Sequence, residues 1–185
     1  MTVLAIDTSS RGRAVCVLAS PDGRLVEADV REGVAVGETL PRSLAALLGD
    51  EVSAVVVVDG PGSYTGIRAG LAAALGVAHA RGLPLHRIGA LEVISAAVPP
   101  ARRPCWIAAD AGRGAVYIAR EPGLEPRRVA AASLALDGLA VFSADGLPVA
   151  GLVRVEPAIA LAAAAPLALR RGRTELSGLT GVYVV

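Results

Sequence analysis

The stretch VVVVDGPGSYTGIRAG, residues 55–70, joins a run of valines to a glycine-rich turn and then to a helix start. Residues 54–59, AVVVVD, show no alternation of apolar and polar side chains, which predicts a strand covered on both faces. A strand, a glycine loop and a helix in that order is the local form of two phosphate-binding loops and of the nucleophile elbow. A Walker loop requires G-x-x-x-x-G-K-[ST]; here Ile67 and Arg68 follow Gly66, and the chain contains no lysine. A dinucleotide fingerprint requires G-x-G-x-x-G, with an acid about 20 residues further on. Gly60, Gly62 and Gly66 are one residue out of phase, and the next apolar run, LPLHRIGA at 83–90, ends without an acid. A nucleophile elbow requires G-x-S-x-G; Pro61 and Thr65 occupy the glycine positions around Ser63. What remains is a tight strand-to-helix turn made by Gly60, Pro61 and Gly62, with Ser63 or Thr65 capping the helix.

The helix that follows runs to about Arg81 and is unusual. TGIRAGLAAALGVAHARG, residues 65–82, carries only Arg68, His79 and Arg81 as long polar side chains. A surface helix ordinarily shows a polar face. Gly66, Gly70, Ala74 and Ala78 fall at spacing four and form one smooth row. Glycine inside a helix costs roughly 0.5–1 kcal/mol relative to alanine, so Gly70 and Gly76 need a reason. Two readings fit: the row packs inside the monomer, or it receives a helix of another subunit.

Working outward, VLAID (3–7), RAVCVLA (13–19) and RLVEADV (24–30) read as an antiparallel meander, with SPDG (20–23) as the reversal. GETLPRSLAALLG (37–49) reads as a helix, because Leu40, Leu44, Leu47 and Leu48 recur at helical spacing. LEVISAAV (91–98) reads as a short helix, and PPARRP (99–104) marks a boundary. After it the pattern restarts. CWIAAD (105–110) ends in Asp110 as VLAID ends in Asp7, and RGAVYIARE (113–121) echoes GRAVCVLAS (12–20). LAVFSADG (139–146) reads as strand and turn, AASLAL (131–136) as a helical turn, and EPAIALAAAAPLALRRG (156–172) as one helix. The order predicts an α/β chain with a ribonuclease-H-like unit used twice: a first lobe at 1–98 and a reduced second lobe at 99–185.

The bulk numbers agree with a folded chain. Its 185 residues are 54% hydrophobic, 19% charged and 3% aromatic, with a formal net charge of +1. That excludes disorder as the main state, and the near-neutral balance argues against a free-standing nucleic-acid binder. Cys16 and Cys105 sit in apolar runs and read as packing residues. The N-terminus lacks the basic and apolar regions of a secretion signal. The alanine-rich run at 158–172 is broken by Pro166 and is too short to span a bilayer. The expectation is a cytoplasmic protein with no membrane segment.

LAIDTSS (4–10), DGPGSYTGIRAGLAAALGVA (59–78), PLHRIGALEVIS (84–95) and AADAGRGAVYIA (108–119), with a weaker echo in TGVYVV (180–185), together resemble the TsaB (YeaZ) family. The resemblance implies an actin-like (ASKHA) fold of two related lobes, with no cofactor, metal or catalytic residue of its own. It implies a non-catalytic partner of TsaD, the subunit that threonylcarbamoylates the tRNA adenosine beside the anticodon. It further implies pairing with itself through the same surface, a larger assembly with the ATPase TsaE, and tRNA contact only through the complex. By motif correspondence the partner surface is the helix from Gly66 to Arg81 with the helix from Gly37 to Leu48 beside it. The expected contacts are Gly66, Ile67, Gly70, Leu71, Ala74, Leu75, Ala78, Leu44 and Leu48. A bulky residue at Gly70 is then expected to abolish pairing and spare the fold.

Two other readings stand beside it. Active relatives of this fold hold nucleotide between the lobes, and a small ATPase or kinase would use Asp7 and Asp110. Asp110-Ala111-Gly112 looks like a D-x-G phosphate loop, in a place where the family more often has arginine at position 112. Asp7-Thr8-Ser9-Ser10 has no glycine until Gly12. A protease would need Ser63 or Ser9 beside a base. TsaD's metal histidines lie at H-x-x-x-H spacing, whereas His79 and His86 are far apart here. The family histidine near residue 35 is replaced by Ala35 and Val36, and the family's C-terminal motif by GVYVV.

Overall fold

The computed structural model describes residues 1–33, 35–134 and 136–174. The TGVYVV echo and the altered C-terminal motif lie outside the described residues. Strands β1 (Thr2–Asp7), β2 (Arg13–Ala19) and β3 (Leu25–Glu32) form the expected antiparallel meander. Helix α1 (Val36–Leu47) leads to β4 (Val52–Val58), which pairs parallel with β1. Helix α2 (Tyr64–Arg81) leads to β5 (Leu85–Ile88), parallel to β4, and α3 (Ala90–Ala96) closes the unit. The sheet order is β3-β2-β1-β4-β5.

The second unit repeats the pattern. Strands β6 (Cys105–Gly112), β7 (Ala115–Glu121) and β8 (Arg127–Ala130) are antiparallel. Strands β9 (Val141–Ser143) and β10 (Leu152–Arg154) add in parallel, giving β10-β9-β6-β7-β8. This is the actin-like, ribonuclease-H-like α/β arrangement used twice. The second copy is reduced: a three-residue turn, Ala131–Ser133, stands where α1 would be, and no helix joins β9 to β10.

Strand β4 explains its own lack of alternation. Val55 and Val57 enter a core with Leu40, Leu44, Ile67, Leu71 and Ala74, under α1 and α2. Ala54, Val56 and Val58 enter a second core on the opposite face, which α4 (Pro157–Arg170) covers with Ala158, Leu161 and Ala165. Helix α4 belongs to the second half of the sequence, yet it packs on the first sheet. Helix α3 does the reverse, placing Leu91 and Ile94 against Ile107 and Phe142 of the second sheet. The lobes therefore exchange helices. Among the described residues no helix is long and apolar enough to cross a membrane.

Candidate functional site

The glycine loop is built around the end of β1. Ser63 is the α2 cap: its hydroxyl accepts from the Gly66 N–H at 3.3 Å. The Ser63 N–H donates to the Ser9 carbonyl at 2.7 Å. The buried Thr8 hydroxyl donates to the Gly66 carbonyl at 2.7 Å. A Cβ placed on Gly62 would overlap the Ser9 carbonyl oxygen, one on Gly66 the Thr8 carbonyl oxygen, and one on Gly70 the Thr8 hydroxyl. These glycines let the start of α2 lie against the Thr8–Ser9 backbone. The Ser63 N–H and hydroxyl and the Gly66 N–H and carbonyl are thereby satisfied within this chain.

The nine residues expected on a partner surface therefore divide. Gly66, Ile67, Gly70, Leu71, Ala74, Ala78 and Leu44 are buried within this chain, and Leu75 and Leu48 are half-buried. The small row is the inner face of α2, so packing inside the monomer is the reading the structure takes for those seven. The expectation that bulk at Gly70 spares the fold is corrected with it, since that bulk meets Thr8. The outer face of α2 is formed by Thr65, Arg68, Ala72, Gly76 and Ala80, with Ala69 and Ala73 half-buried at its margin. Arg68 stacks over the Tyr64 ring at 4.5 Å, at the N-terminal end. From Ala69 to Ala78 the helix carries no polar side chain. A Cβ on Gly76 would have nothing within 4 Å.

Asp7 and Asp110 come together between the lobes, around a third carboxylate that sequence reasoning missed. The Asp7 carboxylate accepts from the Ser9 N–H at 2.8 Å and the Ser9 hydroxyl at 2.6 Å. The Asp110 carboxylate accepts from the Gly112 N–H at 2.8 Å and faces Arg11 at 3.9 Å. Each is engaged by its own loop. Between them lies buried Asp145, which accepts from the Ser10 hydroxyl at 2.6 Å and the Asp110 N–H at 2.8 Å. Arg13 of β2 pairs with Asp145 at 3.1 Å and donates to the Ala144 carbonyl at 2.8 Å. These groups fasten one lobe to the other; a pocket of about 10 Å³ lies among Asp7, Asp110 and Asp145, roughly the least that one water needs, while Ser10, Arg13, Asp110 and Asp145 also line an open cleft of about 550 Å³ with Arg11, Glu32 and Arg154. The signal for Asp145 was in the repeat: SADGLP after β9 stands where VDGPG stands after β4.

The serines of the protease reading are held by neighbours in this chain. The Ser9 hydroxyl is spent on Asp7 and the Ser63 hydroxyl on the helix cap. His79 is exposed near the end of α2, about 24 Å along the helix from Ser63. His86 is buried, and its Nδ1 donates to the Gly172 carbonyl at 2.8 Å. Both cysteines are free and buried, and burial pushes the Cys16 thiol up to about 12.

A larger cleft of 760 Å³ opens beyond β4 and β5, lined by Asp59, Arg87, Glu92, Leu124 and Arg171 among others. Burial raises the Asp59 carboxyl above its usual range, against the pull of Arg87 at 3.6 Å. Arg171 grips Glu92 with both guanidinium nitrogens and holds its carboxyl below the ordinary range.

Comparisons with known proteins agree with this architecture. The structure of YeaZ from Pseudomonas aeruginosa superposes with a TM-score of 0.67 at 23% identity, covering 99% of each chain. A second structure, described as an uncharacterized protein with similarity to peptidase YEAZ from Pseudomonas aeruginosa, gives 0.68 at 21%, covering 100% of this chain and 99% of that one. An uncharacterized protein of Mycobacterium tuberculosis is 35% identical over 129 residues, which is 64% of this chain and 58% of the relative. The chain thus spans little more than half the length of that curated relative. The family model described as TsaD, tRNA N6-adenosine threonylcarbamoyltransferase, matches residues 38–156, well over half the chain. With that match and a shared fold from end to end with YeaZ, the chain belongs to the TsaD family.

Proposed function

We propose that this chain is a non-catalytic scaffold subunit that pairs with a TsaD-type threonylcarbamoyltransferase through the outer face of α2, beside α1, and so serves tRNA modification. A TsaE-type ATPase completes the assembly, and a second copy of this chain competes for the same face. The observation that carries this reading is Gly76. Gly66 and Gly70 are explained by Thr8, within the chain; Gly76 is not, because open space surrounds its missing side chain. Its flanks on the outer face are Ala69, Ala72, Ala73 and Ala80, a surface smooth enough for close approach by another helix. A scaffold of this kind acts by linkage, favouring the partner conformation that it binds best.

The test is to mix the chain with its cognate TsaD-type subunit and weigh the product by light scattering on a sizing column. The expected product is a heterodimer. Gly76→Arg should weaken it at least tenfold while the melting temperature stays or rises, since arginine is the better helix former. An undiminished heterodimer with Gly76→Arg would show that α2 is not the docking face. No complex with the wild-type chain, together with stoichiometric ATP binding by the chain alone, would favour an ATPase instead.

A further inference from the structure

Charge is unevenly spread along the chain. Residues 1–98 carry eight arginines against ten carboxylates, and residues 99–185 carry ten against seven. In the second lobe part of that excess is mounted on an aromatic base. Arg120 of β7 and Arg127 of β8 both stack over the Trp106 ring, at 6.0 and 5.6 Å. The strand register puts them there: Arg120 lies opposite Trp106, and Arg127 opposite Ile118, two residues along the same face. Asp137 fixes the base, accepting from the indole N–H at 2.8 Å and pairing with Arg120 at 3.4 Å. Arg127 and its neighbour Arg128 are exposed, on an edge strand, with no ion pair among the described residues.

We propose that this corner of the second lobe, Arg120 and Arg127 over Trp106 with Arg128 on the other face of the same edge strand, binds the phosphate backbone of RNA. A guanidinium held over an indole is already partly ordered, so it loses less freedom when its N–H fork meets a phosphate. Two forks on one ring, with a third arginine on the other side of the same edge, suit a run of phosphates better than a single carboxylate. That the RNA is a tRNA rests on the function proposed above; the phosphate chemistry does not. This corner lies on the second sheet, whereas α2 covers the first, so both surfaces are open to partners at once.

The test uses the full chain alone, without a TsaD-type subunit, so its failure is separate from a failure of pairing. Binding to a fluorescently labelled tRNA transcript is followed by anisotropy between about 50 and 200 mM salt. The expected result is salt-sensitive binding that Arg120→Gln with Arg127→Gln weakens about tenfold, lowering the salt slope by ~1–2. Arg127→Glu should weaken it further, and thermal melts of all variants confirm that they are folded. Wild-type and variant chains that bind the transcript equally well overturn the proposal. So does a wild-type chain that ignores RNA at low salt and binds polyglutamate instead.

Discussion

Thr8 shows how much one side chain can decide. It is fully buried, holds the Gly66 carbonyl, and is the atom group against which Gly66 and Gly70 have no room to grow. Gly66→Ala is expected to cost about 1–3 kcal/mol, since neither backbone can yield easily; urea denaturation measures it. Gly76→Ala, with open space around it, should instead stabilise by a few tenths to about 1 kcal/mol. An equal effect at the two glycines would refute this division of α2 into faces. The sequence made Gly70 and Gly76 visible as anomalies of a helix. It could not assign them to opposite faces, because the partner of the inner row is Thr8, some sixty residues earlier in the chain. The cysteines offer a simpler check. With the Cys16 thiol near 12 and Cys105 also raised by burial, neither should react with a thiol reagent at neutral pH until the protein unfolds.

At the level of elements, the long strands and helices were legible because each repeats a period several times. β4 is an uninterrupted valine run, α1 has its leucines, and α2 ends at Gly82 in the left-handed conformation that glycine favours. Strands β8 and β10, of four and three residues, are too short to show a period. They exist because neighbouring strands hold them. The contact between α3 and the end of α4 was equally invisible, since Glu92 and Arg171 are 79 positions apart. Glu92 has its folded pKa lowered, chiefly by the Arg171 hydrogen bond. Its stabilising effect is therefore complete above its unfolded value, near 4.5, and is lost as pH falls through the lowered folded value. Glu92→Gln should reduce stability at pH 7 and close the gap with wild type in acid. A difference that stays constant from pH 7 to the acid limit would show that the pair contributes no charge-dependent stability.

For the whole molecule, two devices join the lobes: the exchange of α3 and α4, and the Asp145 network between β1 and β9. Arg13 and Asp145 are each about nine-tenths buried. Asp145→Ala strands the arginine charge and should cost about 3–5 kcal/mol, read as a large fall in melting temperature. If that variant melts like wild type, the lobes are held by their helices alone. Repetition in the sequence disclosed two related units. It did not disclose that they trade helices, because the repeat reports what each copy inherits and not where a helix lands. The trade has a consequence for the nascent chain. The apolar face of the first sheet, with Val3, Val15, Val17 and Val56, leaves the ribosome well before the helix that covers it. Between Ile88 and Pro157 roughly 70 residues must still be made, about 4–14 s at ordinary rates of translation. For that interval a hydrophobic sheet face stands uncovered in a crowded cell. The half of the protein that is made first is thus completed last.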